Sequence, residues 1–336
     1  LLVLPTGGGK TRVASEVLRW VVDHCRRRAV FVVNRNKLAT QAVGALSHVG
    51  LGAATALYKA GYGAVVACPV QVTSIQSLRS EARDYPDADV VVIDEAHCAL
   101  APSYLDLVRH YKVGARGAFV MGLSATPMRT NPFESLGTVF KRKVHGPSVG
   151  ELVRDGYLVP PTVFALDHLE VQRAFSKLKA KKAKRGKGGG RGGGGGAVAD
   201  AMDVNKDSEA ALAWRKRCAD RLTIAFCINI EHSRMVEKEF TAQGVSCAHI
   251  DGSTPERERS QLYEDFSEGV VQVLTSVNVL SEGFDEQGIG CVMLLRPTSS
   301  KGLYIQMVGR GLRQSAGKSD CVVLDQSGNT AAHGPV

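Results

Sequence analysis

The stretch "LLVLPTGGGKTRVASEV" (residues 1–17) decides the fold of the first part of the chain. A short apolar run is followed by three glycines, a lysine and a threonine, and then by apolar residues at helical spacing. Glycine lets backbone N–H groups approach an anion closely, and the first N–H groups of a helix are unpaired and carry partial positive charge. The stretch therefore predicts a phosphate-binding loop between a strand and a helix. A glycine-rich turn without a ligand is the alternative.

The residue types of this loop match the needs of a bound triphosphate. A lysine after the glycines reaches the outer phosphates, and a hydroxyl beside it holds magnesium. One position departs from the strict pattern GxxxxGK[ST], because Leu4 stands where the first glycine belongs. The predicted phosphate-binding residues are Gly7, Gly8, Gly9, Lys10 and Thr11.

Length and composition favour a two-domain protein inside the cell. The chain has 336 residues, of which 44% are hydrophobic, enough for two buried cores. It contains no apolar run of membrane-spanning length and no visible secretory signal. Because the chain opens inside an apparent strand, an upstream targeting segment could precede it. None of the eight cysteines forms a CxxC pair, so buried thiols in a reducing compartment are favoured over zinc or disulfides.

The positive charge of the chain is concentrated in one segment. The net charge is +9, and the run "KLKAKKAKRGKGGGR" (177–191) holds eight basic residues and no acidic one. The remainder is 9 − 8 = +1, nearly neutral. This run and the glycines at 188–196 cannot bury a core, so we predict a disordered linker. A basic tail that grips phosphates is the alternative, and the two are compatible.

Short apolar, β-branched runs alternate with helical patterns in two sets. Continuous apolar strands are typical of parallel sheets that are covered by helices on both faces. Two such sets predict an α/β fold with two domains. The predicted strands lie at 29–33, 64–68, 89–93 and 118–124, and then at 222–228, 245–250, 271–276, 291–295 and 321–325.

The predicted domain boundaries follow from a proline-containing break between the two sets. "HGPSVGELVRDGYLVPPTVFAL" (145–166) is interpreted as a segment that crosses between domains. We predict a first domain at 1–145 and a second at 214–330. The inter-domain segment spans 146–213, with the disordered linker at about 168–212.

A pair of carboxylates follows one of the buried strands. In "VVVIDEAH" (90–97), Asp94 and Glu95 come directly after an apolar run. The carboxyl ends of parallel strands form the ligand edge of a sheet, and the glycine loop lies at the end of the first strand. Thr11 and Asp94 are therefore predicted to share one Mg²⁺, with Glu95 polarising the attacking water. A solvated acidic turn is the weaker reading.

Seven short motifs now make a resemblance explicit. "PTGGGKT" (5–11), "DEAH" (94–97) and "SATP" (124–127) resemble motifs I, II and III of superfamily-two helicases, which often lack the first glycine of the strict loop pattern. The later motifs also match in order and span nearly the whole chain except about 167–215. These are "IEHSRMV" (230–236), "HIDGSTPERER" (249–259), "TSVNVLSEGFDEQG" (275–288) and "YIQMVGRGLR" (304–313). Within the superfamily, "SEGFD" and "QMVGRGLR" are most similar to the RadD-like bacterial and phage group, and also to related motors of restriction and mitochondrial type. The bridge "GPSVGELVRDGYLVPP" (146–161) also fits the RadD-like group.

The resemblance implies two tandem RecA-like domains with ATP and Mg²⁺ in the cleft between them. In "QMVGRGLR", Gln306, Arg310 and Arg313 have spacings of four and three, so on a helix they would project from one face. That face could aim two guanidinium groups at the transferred phosphate; three exposed residues on a surface helix are the alternative. By resemblance Thr6 joins the nucleotide site, and Gly283 and Asp285 lie near the ribose, although Asp285 could equally cap a turn.

Two further roles are predicted, coupling and nucleic-acid contact, and each nucleic-acid candidate could instead serve a turn or a cap, so these are predicted as a set. His97, Ser124 and Thr126 are expected to couple the nucleotide state to domain closure, while the two hydroxyls could merely satisfy backbone groups. Hydroxyls and backbone N–H groups suit phosphate contacts without base readout. The expected nucleic-acid contacts are Arg35, Thr73, Ser74, Gln76, Gly252, Ser253, Thr254, Thr275 and Ser276.

The predicted activity is therefore ATP-dependent movement along a nucleic acid. DNA is favoured over RNA by the RadD-like resemblance, a membrane partner is not expected, and protein partners are left open. A translocase or restriction-type motor that does not separate strands shares every motif. A non-enzymatic ATP-gated clamp would be expected to alter Lys10, Glu95 or Arg313, and none of them is altered.

Overall fold

The computed structural model describes residues 1–34, 36–58, 68–80, 85–113, 117–127, 135–165, 207–277, 279–280, 284 and 286–336. These residues form two compact units, Leu1–Val149 and Gly150–Val336. Each unit is built on one parallel sheet. The predicted α/β class with parallel sheets is thus confirmed.

The first unit alternates strands and helices, and short 3₁₀ turns lie at 52–54, 96–98 and 136–138. Its strands are β1 (Leu2–Val3), β2 (Ala29–Val33), β3 (Thr55–Tyr58), β4 (Val70–Ser74), β5 (Val90–Ile93), β6 (Phe119–Ser124) and β7 (Val144–His145). Its helices are α1 (Lys10–Cys25), α2 (Asn36–His48), α3 (Ile75–Ser80) and α4 (Pro102–Val113), and α5 (Val149–Arg154) begins at the boundary.

The strand order of the first sheet is β3-β4-β2-β5-β6-β1-β7. The central strands β2, β4 and β5 are buried along their whole length, as the apolar side chains on both faces of β2 and β5 require. One core cluster includes Leu18, Phe31 and Leu46, and another includes Ile93, Leu107 and Phe140. Both faces of the sheet are therefore covered, and the strand ends are left to carry functional residues.

The second unit repeats this plan. Its strands are β8 (Pro161–Ala165), β9 (Thr223–Phe226), β10 (Cys247–Ile250), β11 (Val273–Ser276), β12 (Cys291–Leu294) and β13 (Cys321–Asp325). Its helices beyond α5 are α6 (Asp207–Cys218), α7 (Ile230–Ala242), α8 (Glu256–Ser267), α9 (Lys301–Gly309) and α10 (Asn329–His333). The strand order is β10-β11-β9-β12-β13-β8.

The structure corrects the predicted inter-domain segment at both of its ends. Residues 161–165 form the edge strand β8, which pairs in parallel with β13 from Pro161 opposite Cys321 to Ala165 opposite Asp325. Helix α6 begins at Asp207, inside the range that we predicted to be linker. It forms because Ala210, Ala211 and Trp214 are buried against the sheet, where each large apolar side chain stabilises the fold by about 1.5–3 kcal/mol.

Trp214 ties α6 to the sheet. It is 1% exposed, and its ring meets Phe240 of α7 edge-on at 5.3 Å between centroids. Its Nε1 donates to Thr223 Oγ1 at 2.7 Å, which satisfies the indole N–H inside the core.

None of the helices in the described part of the chain combines the length and the hydrophobicity that a transmembrane span requires.

Candidate nucleotide and nucleic-acid sites

The glycine loop leads directly from β1 into α1. Gly9 is the N-cap of α1, with φ 80° and ψ 23°, a left-handed conformation that glycine adopts without a steric penalty. Gly8 N donates to Pro5 O at 3.0 Å, which closes the loop. Lys10 Nζ turns back over the loop and donates to Leu4 O at 3.3 Å and Pro5 O at 3.2 Å. Thr6 is buried, whereas Gly7 and Gly9 are exposed at the helix start, where backbone N–H groups can meet an anion.

The acidic pair lies at the same edge of the same sheet. Asp94 follows β5, which neighbours β6, and β6 in turn neighbours β1 in the strand order. Leu4 N donates to Ser124 O at 3.1 Å, so the phosphate loop and the end of β6 are joined directly. The side chains of Glu95 and His97 are 20% and 25% exposed. The structure thus brings the predicted phosphate-binding and acidic residues to one edge.

Glu95 has an unusual backbone conformation. Its φ is 48° and its ψ is 51°, the left-handed region that costs a side-chain-bearing residue about 1 kcal/mol or more. Its N–H donates to Asp94 Oδ1 at 2.9 Å, and the chain then enters the 3₁₀ turn at 96–98. This strained turn fixes the direction in which the two carboxylates leave the strand.

The electrostatics of Asp94 fit a cation site. Burial, and secondly the neighbouring Glu95 carboxylate, raises the pKa of Asp94 to about 6, while the Glu95 N–H and the Lys10 ammonium act in the opposite direction. Two adjacent, desolvated carboxylates repel each other, and a divalent cation relieves that repulsion. Asp94 and Thr11 could hold Mg²⁺ from the protein side.

The donor set is that of a magnesium ion shared with phosphates. Among the described residues, no group of three or more His, Cys, Asp or Glu side chains is arranged to hold a metal. Mg²⁺ commonly uses one or two carboxylates together with waters and substrate phosphates, so a dedicated protein cage is not required. The residues present therefore fit a magnesium–nucleotide complex and do not fit a structural metal site.

The three predicted coupling residues lie beside this edge. His97 Nδ1 is 3.2 Å from Glu95 Oε2. Burial lowers the pKa of His97, but its interactions with Cys98 and Glu95 raise that pKa by more. The net effect is a pKa above the usual value for histidine. Ser124 and Thr126 are buried, and Thr126 N donates to Ser124 Oγ at 3.1 Å. That bond satisfies a backbone group, which is the alternative named above for these hydroxyls.

The predicted helical face of Gln306, Arg310 and Arg313 is wrong. Helix α9 ends at Gly309, Arg310 is its C-cap, and Arg313 lies beyond the helix, where its backbone forms an isolated β-bridge with Leu158. Gly311, which follows the C-cap, packs so closely on Cys321 and Val292 that a Cβ would overlap their side chains.

Arg310 and Arg313 have different surroundings within the second unit. Arg310 is 6% exposed, and its Nη1 donates to Phe284 O at 2.7 Å, so it holds the backbone at Phe284. Burial lowers the pKa of Arg313. Lys318 Nζ donates to Arg313 O at 2.8 Å and to Gln287 O at 3.1 Å, which fixes the loop that carries Arg313. Gly283 and Asp285, predicted near the ribose, lie outside the described residues.

The first unit's predicted nucleic-acid contacts are mostly internal. Thr73 and Ser74 are 0% and 1% exposed, and Ser74 Oγ accepts from Ser77 N at 3.1 Å, as the cap of α3. Their hydroxyls are therefore used inside the fold in this conformation. Gln76 is exposed. Arg35 lies outside the described residues.

In the second unit, the predicted contacts divide in the same way. Thr275 and Ser276 at the end of β11 are both 0% exposed, and Ser276 Oγ accepts from Leu280 N at 3.3 Å. The loop that holds Gly252 and Ser253 is exposed, and Thr254 is half-buried. The surface candidates are thus Gln76 and the 252–254 loop.

Sequence reasoning missed two buried polar networks. One joins Ser233, His249 and Asp251 behind the 252–254 loop. The other surrounds Asp325, whose Oδ2 accepts from Thr330 N at 2.6 Å and whose Oδ1 accepts from Ser327 N at 3.1 Å. In both, an aspartate ends an apolar strand and turn-forming residues follow, the same pattern that identified Asp94.

Comparisons with known proteins agree with this geometry. The family model "Helicase conserved C-terminal domain" matches residues 210–315, and the model "Type III restriction enzyme, res subunit" matches residues 1–129. The ATP-dependent helicase IRC3 of Saccharomyces cerevisiae is 26% identical over 96% of this chain and 47% of its own length. The mitochondrial ATP-dependent helicase irc3 of Schizosaccharomyces pombe is 29% identical over 96% of this chain and 52% of its own length. The chain thus spans about half the length of these curated relatives.

A solved structure shares the fold. A fragment of an HsdR subunit of a type I restriction enzyme from Vibrio vulnificus superposes with a TM-score of 0.70 at 21% identity, over 99% of this chain and 61% of that chain. The sheets are those of tandem RecA-like helicase domains, one in each unit. With a restriction-type ATPase match in the first unit and a helicase C-terminal match in the second, the chain belongs to the superfamily-two helicases.

Proposed function

We propose that this chain is the motor core of an ATP-driven nucleic-acid helicase or translocase. The observation that carries the proposal is the arrangement at the edge of the first sheet. A glycine loop opening a helix, a lysine, and a pair of carboxylates meet there, and the Lys10 ammonium acts electrostatically on Asp94. A phosphate loop alone only binds nucleotide, whereas the added carboxylates supply what hydrolysis requires.

Within the first unit, each residue type has a distinct task. The N–H groups at the start of α1 bind the triphosphate, and Lys10 leaves its carbonyl partners in the loop to pair with the outer phosphates. Glu95 orients and polarises the attacking water. When bound, Mg²⁺ supplies charge neutralisation on the phosphates, and Asp94 and Thr11 are the residues that would hold it.

For the second unit, the proposal assigns Arg313 to the charge that develops on the transferred phosphate. Arg313 is half-buried, and a partly desolvated cation acts more strongly on a phosphate than a fully hydrated one does. Arg310 is assigned to positioning, because it holds the Phe284 carbonyl. Gly283 and Asp285 keep their predicted place near the ribose as part of this proposal.

Nucleic-acid contact is assigned to the exposed candidates, Gln76 and the 252–254 loop. Backbone N–H and hydroxyl groups there suit sequence-independent phosphate contacts, which a moving motor needs. DNA is favoured, because restriction enzymes appear both in the family model of the first unit and in the HsdR structure. The narrower likeness to the RadD-like group also favours DNA and stays a prediction.

One set of assays tests the proposed activity and distinguishes a helicase from a translocase. The ATPase rate is measured without nucleic acid and with single-stranded, duplex and forked DNA and RNA, at fixed salt because phosphate contacts are salt-dependent. Stimulation by a nucleic acid supports the motor, and strand displacement on the forked substrate separates a helicase from a translocase. A chain that binds ATP but shows no turnover with any of these substrates contradicts the proposal.

A further inference from the structure

A buried chain of polar side chains links three elements of the second unit. His249 of β10 lies between Ser233 of α7 and Asp251, with Nδ1 2.6 Å from Ser233 Oγ and Nε2 3.0 Å from Asp251 Oδ2. Ser233 Oγ is also 2.9 Å from Thr275 Oγ1, at the end of β11. The side chains of His249 and Asp251 are each 3% exposed. We call Ser233, His249 and Asp251 the polar relay.

The order serine, histidine, aspartate also occurs in hydrolases, but this serine is not a nucleophile. Ser233 is 0% exposed and shares its hydroxyl with Thr275, so no substrate can reach it. A nucleophilic serine must be open to the reacting carbonyl or phosphorus atom. The relay therefore acts on structure, and the question is which structure it holds.

The contacts of the second carboxylate oxygen of Asp251 identify that structure as the 252–254 loop. While Oδ2 accepts from His249, Oδ1 accepts from Ser253 N at 2.7 Å, Ser253 Oγ at 2.6 Å and Thr254 N at 3.2 Å. The Ser253 hydroxyl first, and then His249, hold the pKa of Asp251 well below its usual range. The Asp251 carboxylate thus closes the 252–254 loop, and His249 sets the direction in which that carboxylate points.

A second clamp acts on the same loop from outside. Arg259 of α8 donates from Nη2 to Thr254 O at 2.9 Å and to Asp251 O at 3.3 Å. A loop that only connected β10 to α8 would need neither a buried histidine nor an arginine across its carbonyls. Two independent clamps on three exposed or half-buried residues indicate that the loop conformation itself matters.

We propose that the polar relay is a positioning device, which presents the Gly252–Thr254 loop to a nucleic-acid phosphate in fixed register with the end of β11. This inference rests on the proposed nucleic-acid interface. Binding to a preformed loop avoids the entropic cost of ordering it, so the relay raises affinity without touching the ligand. Thr275 joins the relay as the β11 end of the same connection, which gives its buried hydroxyl a role.

The test compares two amide variants of one residue. In His249→Gln, the side-chain amide reaches the position of Nε2 and keeps a donor for Asp251. In His249→Asn, the shorter amide reaches only the position of Nδ1, beside Ser233, and the donor for Asp251 is lost. With single-stranded DNA, we expect His249→Asn to raise the half-stimulating DNA concentration about 3- to 10-fold, and His249→Gln to stay within about twofold of wild type. In His249→Asn, the slope of log affinity against log salt should become shallower by about 0.7 for each phosphate that the protein no longer binds.

Arg259→Lys keeps the charge but loses the planar fork, and it changes a partly exposed side chain, so the fold is not endangered. It should weaken DNA stimulation in the same direction as His249→Asn. Trp214→Phe, which removes a buried hydrogen bond to Thr223 at the start of β9, controls for general loss of stability and should leave DNA affinity unchanged.

Gly252→Glu separates the inference from the interface on which it rests. A Cβ at Gly252 meets no atom within 4 Å, so the new carboxylate fits and repels a phosphate. If Gly252→Glu weakens DNA stimulation but His249→Asn and Arg259→Lys match wild type, the relay is not a positioning device. If Gly252→Glu has no effect either, the loop is not an interface, and both ideas are overturned.

Discussion

Glu95 is the residue whose conformation says most about the chemistry. A side-chain-bearing residue in the left-handed region persists only where its surroundings impose it. The strained residue, Glu95, lies between Asp94, which fits a metal site, and His97, whose Nδ1 is 3.2 Å from Glu95 Oε2. The amino-acid sequence predicted the identity of the acidic pair, whereas it contained no signal for the backbone angle that aims it.

At the scale of this residue, Glu95→Gln should separate binding from hydrolysis. Glutamine keeps the size and the hydrogen-bonding reach of glutamate but cannot polarise a water as a carboxylate does. We expect ATP binding close to wild type and a turnover number lower by about 10²- to 10⁴-fold. Equilibrium binding of ATP and steady-state phosphate release give the two values, and unchanged turnover would remove Glu95 from the water-orienting role.

Arg313 is the second residue that a single substitution tests. We expect Arg313→Ala to lower the turnover number by about 10³-fold or more, with a smaller change in ATP affinity, because its guanidinium acts on charge that develops in the transition state. Arg257→Ala, which removes an exposed arginine on α8, is the matched control for loss of one positive charge. Equal effects of the two substitutions on turnover would show that Arg313 contributes only general electrostatics.

At the scale of secondary structure, long apolar runs were predictable, whereas strands with polar residues and the ends of helices were not. The runs at 29–33 and 321–325 are strands β2 and β13 to the residue, because β-branched side chains buried on both faces leave no other solution. β4 was missed because Gln71 and Thr73 interrupt the apolar pattern, although both are buried in the sheet. Helix α9 ends at Gly309, before Arg313, and the spacing of polar residues alone could not predict that end.

The 3₁₀ turn that carries the acidic motif depends on a small residue in the neighbouring strand. A Cβ on Gly122 of β6 would lie 2.5 Å from Phe140 Cζ and 2.8 Å from Ala96 Cβ. We expect Gly122→Ala to lower the free energy of unfolding by about 1–3 kcal/mol, and to reduce ATP turnover because the turn that follows Glu95 must shift. Thermal or denaturant unfolding and the ATPase rate measure the two effects.

Gly44→Ala is the control for that substitution. Gly44 lies inside α2, and a Cβ there meets no atom within 4 Å. The same chemical change should therefore stabilise the protein by about 0.4–1 kcal/mol, since alanine is the better helix former. If Gly122→Ala were as stable and as active as Gly44→Ala, close packing of β6 against the acidic turn would not be a constraint on the site.

At the scale of the whole molecule, charge and chemistry are carried by different parts of the sequence. The eight basic residues at 177–191 account for nearly all of the net charge of +9, yet every predicted nucleotide-site residue lies elsewhere. Residues 177–196 lie outside the described residues, so their role is argued from composition. A lysine- and glycine-rich sequence with so few apolar side chains cannot form a packed site, which favours a spacer over a catalytic element.

Deletion of residues 177–196 should accordingly leave the basal ATPase rate within about twofold of wild type. A variant in which the same length is replaced by glycine and serine separates length from charge, because it keeps the reach of the spacer and removes eight positive charges. If the segment is only a spacer, this variant keeps both DNA affinity and its salt dependence. If the segment grips phosphates, DNA affinity falls and the salt slope becomes shallower by roughly 0.7–0.9 for each phosphate that the segment had neutralised, while basal ATP turnover persists. Loss of basal turnover in the glycine–serine variant would contradict both readings, since it would place part of the nucleotide site in this segment.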